Sequence, residues 1–256
     1  MSRTLTSKPL VEHIFEIKWS HPGGPEQLIN EYQLALGQLF SNYSETHRRE
    51  ALLGPPIELM KFIMPEGLIR DRFHPLTTPD GQIGYPLYQY GPGIASFNVN
   101  KEHYSWNGVL KSSADFYKHL CEAHKDLNNR ISSISIRSLD LFSTDDVSNF
   151  LENKFDITIK TPLDSLSSLY LEESVPIYSE TWGIRDFPGK MRIQAAPGVA
   201  GEASGVLLDI LVAIEQPRMD AFENFESLLQ KMHKVCGDAF FALLNESLRT
   251  ELGYHE

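Results

Sequence analysis

The chain has 256 residues, 41% hydrophobic and 22% charged, including 14 Phe, 10 Tyr and 3 Trp, so a chain too polar to collapse is excluded. No run approaches the roughly 18 apolar residues of a bilayer-spanning helix, the first residues lack the apolar stretch of a secretion signal, and Cys121 and Cys236 both fall in helical patterns. The expectation is therefore a cytoplasmic, non-membrane protein without a disulfide framework. Its formal net charge of −11 is uneven: 13 Lys and Arg against 14 Asp and Glu up to residue 130, then 10 against 20. The acidic second half disfavours whole-surface binding to nucleic acid.

Residues 10–19 (LVEHIFEIKW) alternate in part between apolar and polar and predict a strand. The turn at 21–25 ends on Pro25, which opens a helix with Glu26 in its first turn. Leu28, Tyr32, Leu36 and Phe40 recur at spacing four, with Leu39 beside them, as one buried face. Residues 57–64 predict a second strand, and Thr78-Pro79-Asp80-Gly81 a turn. Residues 85–99 predict a strand with a bulge at Gly91-Pro92-Gly93. Ser112 or Ser113 is the expected cap of a helix over 114–128, and residues 131–142 read as a strand with Ile134, Ile136, Leu139 and Leu141 alternating.

In the second half the expected elements are a short helix near 145–155, a Ser- and Leu-rich loop to about 174, and three strands over 177–185, 190–196 and 205–215. Pro197-Gly198 is among the expected turns. One long amphipathic helix is expected from Ala221 to about Leu252, with Gly253 as its stop. The fold class is thus α+β: a single continuous fold over 1–256, built of two fused halves of mainly antiparallel sheet with packing helices. The halves are about 1–143, in the β-α-β-β-α-β order of ferredoxin-like units, and 144–256.

Three segments carry a resemblance. PLVEHIFEIKW, YQYGPGIASFNV followed by Tyr104-Ser105-Trp106, and MHKVCGDAFFALLNESLRTELG resemble a sporadically distributed, TIGR-defined family of hypothetical bacterial proteins, over residues 9–253. That family's strand after the second helix carries an Arg-Tyr-Ile-Asn-like stretch, matched here by Arg137-Ser138-Leu139-Asp140, in which only the Arg agrees. The resemblance implies no activity, catalytic residue or cofactor. Its patchy distribution is similar to that of genes in defence or toxin–antitoxin neighbourhoods.

No G-x-S-x-G, Walker or dinucleotide-binding motif is present. His119 and His124 are five apart and point to different helix faces, so no metal is expected there. Cys236 lies in an apolar stripe, which suits burial better than nucleophilic chemistry. Catalytic residues are not identifiable, and no cofactor is expected. The constellation that stands out is basic and aromatic: Arg48 and Arg49 after the first helix, Arg70, Arg72 and His74, then Tyr88, Tyr90, Tyr104 and Trp106, with Arg137 from the family stretch. Such a mixture suits sheet packing, a protein interface, or stacking of single-stranded nucleic acid or a small ligand. The expected function is a non-enzymatic interaction protein, a partner-binding or neutralising component of a defence or toxin–antitoxin locus, with a homodimer compatible. The alternative is a nucleotide- or RNA-binding protein using the basic–aromatic surface.

Overall fold

The computed structural model describes residues 4–5, 8–21, 23–52, 68–79, 81–156, 178–217 and 222–255. The strand expected over 57–64 and the loop expected to 174 lie outside these residues. The described strands are β1 (Thr4–Leu5), β2 (Leu10–Trp19), β3 (His47–Ala51), β4 (Asp71–Pro75), β5 (Leu87–Gly91), β6 (Ile94–Asn100), β7 (Ile131–Ser143), β8 (Tyr178–Gly183), β9 (Lys190–Ala200), β10 (Ala203–Glu215) and β11 (Tyr254–His255). The helices are α1 (Pro25–Tyr43), α2 (Trp106–Ala123), α3 (Val147–Lys154), α4 (Phe225–Leu243) and α5 (Glu246–Glu251).

The fold is α+β. Nine strands form an antiparallel sheet in the order β3-β4-β5-β6-β2-β7-β10-β9-β8, and β1 pairs with β11 apart from it. No helix among the described residues is long and apolar enough to cross a membrane. The chain divides into two compact units, each assembled from segments of both sequence halves. The first comprises 13–136 and 213–232, the second 1–12, 137–212 and 233–256.

In the first unit, alternation settles the inward face of β2: His13, Phe15, Ile17 and Trp19 are buried, while Ile14 is only half-buried. Helix α1 starts at Pro25 as expected. It buries Leu28, Tyr32, Leu36 and Leu39, but Phe40 is 42% exposed, because Tyr43 occupies the inward position one turn on. Tyr43 meets Tyr88 at 4.4 Å between ring centroids, and Tyr88 meets Phe116 of α2 at 5.1 Å.

The stretch over 85–99 is two strands and not one bulged strand. Gly91 pairs with Ile94, so Pro92 and Gly93 are the two central residues of a hairpin turn. Gly93 has φ 74°, the positive value that a type II turn needs after proline. Helix α2 starts at Trp106, eight residues before the expected 114, because Ser105 is the cap and accepts from the Gly108 amide at 3.3 Å. Between α1 and α2 the described order is β-β-β-β, since His47–Ala51 and Asp71–Pro75 form strands that their charge concealed.

In the second unit, Asp146 caps α3 through the Asn149 amide at 3.0 Å. Strand β9 continues through Pro197-Gly198, expected as a turn; the true turn is at Gly201-Glu202. The described pairing with β8 runs from Lys190 to Ala195, two residues short of Pro197. The C-terminal helix is present, but it stops at Leu243. The Asp156 amide binds the Leu243 carbonyl at 2.7 Å and the Asn245 amide binds the Lys154 carbonyl at 3.1 Å. These bonds interrupt the helical ladder, and Asn245 then caps α5 by accepting from the Leu248 amide at 2.9 Å.

Candidate functional site

Pairing of β3 with β4 sorts the basic residues onto two faces. Arg48 stands opposite His74 and Glu50 opposite Arg72; Arg49 stands opposite Phe73 and Ala51 opposite Asp71. Alternation therefore puts Arg48, Arg72 and His74 on one face with Glu50, and Arg49 on the other with Asp71.

On the first of these faces Arg48 and His74 fasten a loop. Residues 76–79 and 81–86, the described parts of the 76–86 loop, follow the end of β4. Arg48 donates to the Pro79 carbonyl at 2.8 Å, and His74 Nδ1 accepts the Gly84 amide at 3.3 Å. That second bond puts the ring proton on Nε2, which donates to Glu50 at 2.7 Å. Gly84 lies so close to Thr78 that a Cβ would meet its Oγ1 at 1.7 Å. The loop held in this way displays Leu76, 56% exposed, and Ile83, 55% exposed.

On the other face, Asp71 is 1% exposed and fully engaged. Arg49 Nε donates to its Oδ1 at 2.6 Å, and the Tyr32 hydroxyl makes a short bond to its Oδ2. Burial, then the bond to Asp71, raises the Tyr32 pKa well above the usual phenol value. Tyr32 and Gln33 of α1, with Leu36, face Arg49, Ala51, Arg70 and Asp71 across a cavity of about 190 Å³.

Tyr88 and Tyr90 are in the core, at 8% and 0% exposure. Tyr90 stacks on Tyr32 at 5.3 Å, and its hydroxyl bonds His124 Nε2 at 2.7 Å. His124 Nδ1–H donates to Glu31, whose carboxylate also takes both Arg130 Nη groups, at 2.6 and 2.5 Å, and His21 at 3.2 Å. Burial by itself would raise the Glu31 pKa, but the bonds and charges of Arg130 and His124 bring it down to about 2. Glu31, Asp71 and Arg130 did not stand out in the sequence, because each is an ordinary charged residue between apolar positions. The one available signal is that Glu31 adjoins the core residue Tyr32 and Asp71 lies two positions before the core residue Phe73.

Tyr104 and Trp106 flank the start of α2, and both meet the buried His13 ring edge-on, at 5.3 and 6.2 Å. Arg137 belongs to the second unit. Its Nε and Nη2 grip both oxygens of Asp209 at 2.8 Å, and Arg192 adds a third bond at 3.1 Å. Cys236 is buried and its thiol is pushed up to about 12, first by burial and then by Asp140. His119 bonds Asn42 at 3.1 Å, whereas His124 faces Glu31. Among the described residues no three His, Cys, Asp or Glu come together in a way that could hold a metal.

No protein-family model matches this chain, and no curated protein matches it either, so the family resemblance rests on the quoted segments alone.

Proposed function

We propose that the chain is a partner-binding protein that docks another protein through the 76–86 loop, as the neutralising component of a defence or toxin–antitoxin type pair. The observation that supports this reading is the fastening of that loop by Arg48 and His74, with Leu76 and Ile83 left exposed on it. Holding a loop in one conformation lowers the entropy lost on binding, and exposed aliphatic side chains supply the contact. The excess of 20 Asp and Glu over 10 Lys and Arg after residue 130 favours a basic partner. The nucleic-acid reading keeps its arginines but loses the stacking of Tyr88 and Tyr90, because both rings are buried.

The test is co-purification of the tagged chain with the product of its neighbouring gene, comparing wild type with Leu76→Asp/Ile83→Asp. Binding by wild type that the double variant loses supports the proposal. A monomer that neither binds that product nor alters its activity sinks it, and self-association alone would replace the partner with a second copy. Salt-dependent RNA binding lost in Arg48→Ala/Arg49→Ala would favour the alternative.

A further inference from the structure

We infer that the outward face of α1 is the surface through which two copies of this chain pair, as a two-fold dimer whose α1 helices run antiparallel and cross at Gly37. Two large apolar side chains of this helix lie in solvent, Leu34 at 81% exposure and Phe40 at 42%. Gly37, also exposed, stands three residues from each. At about 100° per residue, Leu34 and Phe40 lie about 60° to either side of the line through Gly37, so they border a groove floored by backbone. Glycine weakens the interior of a helix. Its own surroundings do not call for it here, since a Cβ on Gly37 would meet nothing within 4 Å. Close approach by a second helix does call for it.

Charge selects the occupant. Over residues 27–44 the one charged residue is Glu31, in a chain that is 22% charged, and Glu31 is turned inward to His124 and Arg130. The outward face of α2, by contrast, carries Lys111, Asp115, Lys118 and Glu122. Two copies with a net charge of −11 each repel one another. A face without charge is where they can meet without placing like charges in contact, and it offers no ionic partner to a basic or an acidic protein.

The face is also matched to itself. About a two-fold axis at Gly37, each position before the glycine faces the position equally far after it. Leu34 of one copy then meets Phe40 of the other, and Gln33 meets Ser41, apolar on apolar and neutral on neutral. Helix α1 packs on the sheet face of Arg49 and Asp71, whereas the 76–86 loop is fastened on the face of Arg48 and His74. Self-pairing and docking of a different protein therefore use separate surfaces.

The experiment is sedimentation velocity of the full chain over a range of concentrations. A species of twice the chain's 29.0 kDa is expected, dissociating on dilution. Leu34→Glu and, separately, Gly37→Glu should weaken the dimer at least tenfold without lowering the Tm of the dilute monomer, because both positions are open. Leu34→Glu/Phe40→Lys places opposite charges across the antiparallel register and should recover most of that loss, whereas a parallel register would place like charges together. Leu76→Asp/Ile83→Asp should leave the dimer intact, which separates this inference from the docking proposal. A monomer at every concentration overturns the inference. So does a dimer that Leu34→Glu and Gly37→Glu leave intact, that Leu76→Asp/Ile83→Asp dissolves, or that Leu34→Glu/Phe40→Lys fails to restore.

Discussion

His74 and Gly84 are joined across the end of β4, with the imidazole Nδ1 accepting the Gly84 amide while Nε2–H is given to Glu50. A residue that reads in the sequence as part of a cationic cluster thus holds a backbone in place. Gly84 is required at the other end of this bond, because a methyl group there would meet Thr78 Oγ1 at 1.7 Å and Thr78 Cβ at 2.7 Å.

Gly84→Ala is therefore expected to dislodge the 76–86 loop while leaving the sheet folded. Amide exchange should accelerate over 76–86 and stay slow in β5 and β6, with a loss of about 1–3 kcal/mol of stability. His74→Ala should resemble it, since it removes the acceptor for the Gly84 amide. Unchanged exchange in the loop of both variants would refute the fastening.

Glu31 predicts how stability responds to acid. Its folded pKa, about 2, lies below the ordinary 4.5, so the unfolded chain binds the proton more tightly. The contribution is complete above about pH 5 and is lost as pH falls through 4.5 towards 2. The shift corresponds to about 3 kcal/mol. Glu31→Gln should show a flatter acid limb in urea denaturation between pH 5 and 2, and lower stability at pH 7, where it leaves Arg130 without its bidentate partner.

Asp140 predicts the opposite slope. Burial raises its folded pKa to about 7, partly offset by a bond from Ser138 at 3.1 Å. Here the folded state binds the proton more tightly, so stability declines as pH rises from about 4 to 7 and stays lower above that. Asp140→Asn removes the ionisation and keeps the shape. It should gain stability over wild type at pH 8, by up to about 4 kcal/mol, and differ little at pH 4. Equal stability of the two proteins at pH 8 would contradict this account.

At the junction of α4 and α5, Asn245 makes two side-chain bonds, accepting from the Leu248 amide and donating to the Asn153 carbonyl. Asn245→Ala should cost about 1–2 kcal/mol by chemical denaturation. Asn245→Asp keeps the cap and loses the donor, so it should fall between the two.

The sequence by itself determined the α+β class and the position of most regular elements. Residues 10–19, 25–43, 131–143 and 147–154 carry periodicities of two or 3.6 that act between near neighbours, and the strands near 178–183 and 203–215 are bounded by turn residues. Tertiary structure decided the places where a local pattern was ambiguous. Pro92-Gly93 is a hairpin because Gly91 finds Ile94, and the terminal helix breaks after Leu243 because residues 154–156 supply bonds from some 90 positions away. It also decided the charged residues, whose side-chain partners are far off in the chain: Arg49 finds Asp71 across 22 positions, and His124 finds Glu31 across 93. A charged residue has the same local signature whether it ends in solvent, in a salt bridge or beside a cavity. Which of these it becomes depends on what the fold brings opposite it, and so the loop clasp and the arginine-lined cavity emerge only from the assembled sheet.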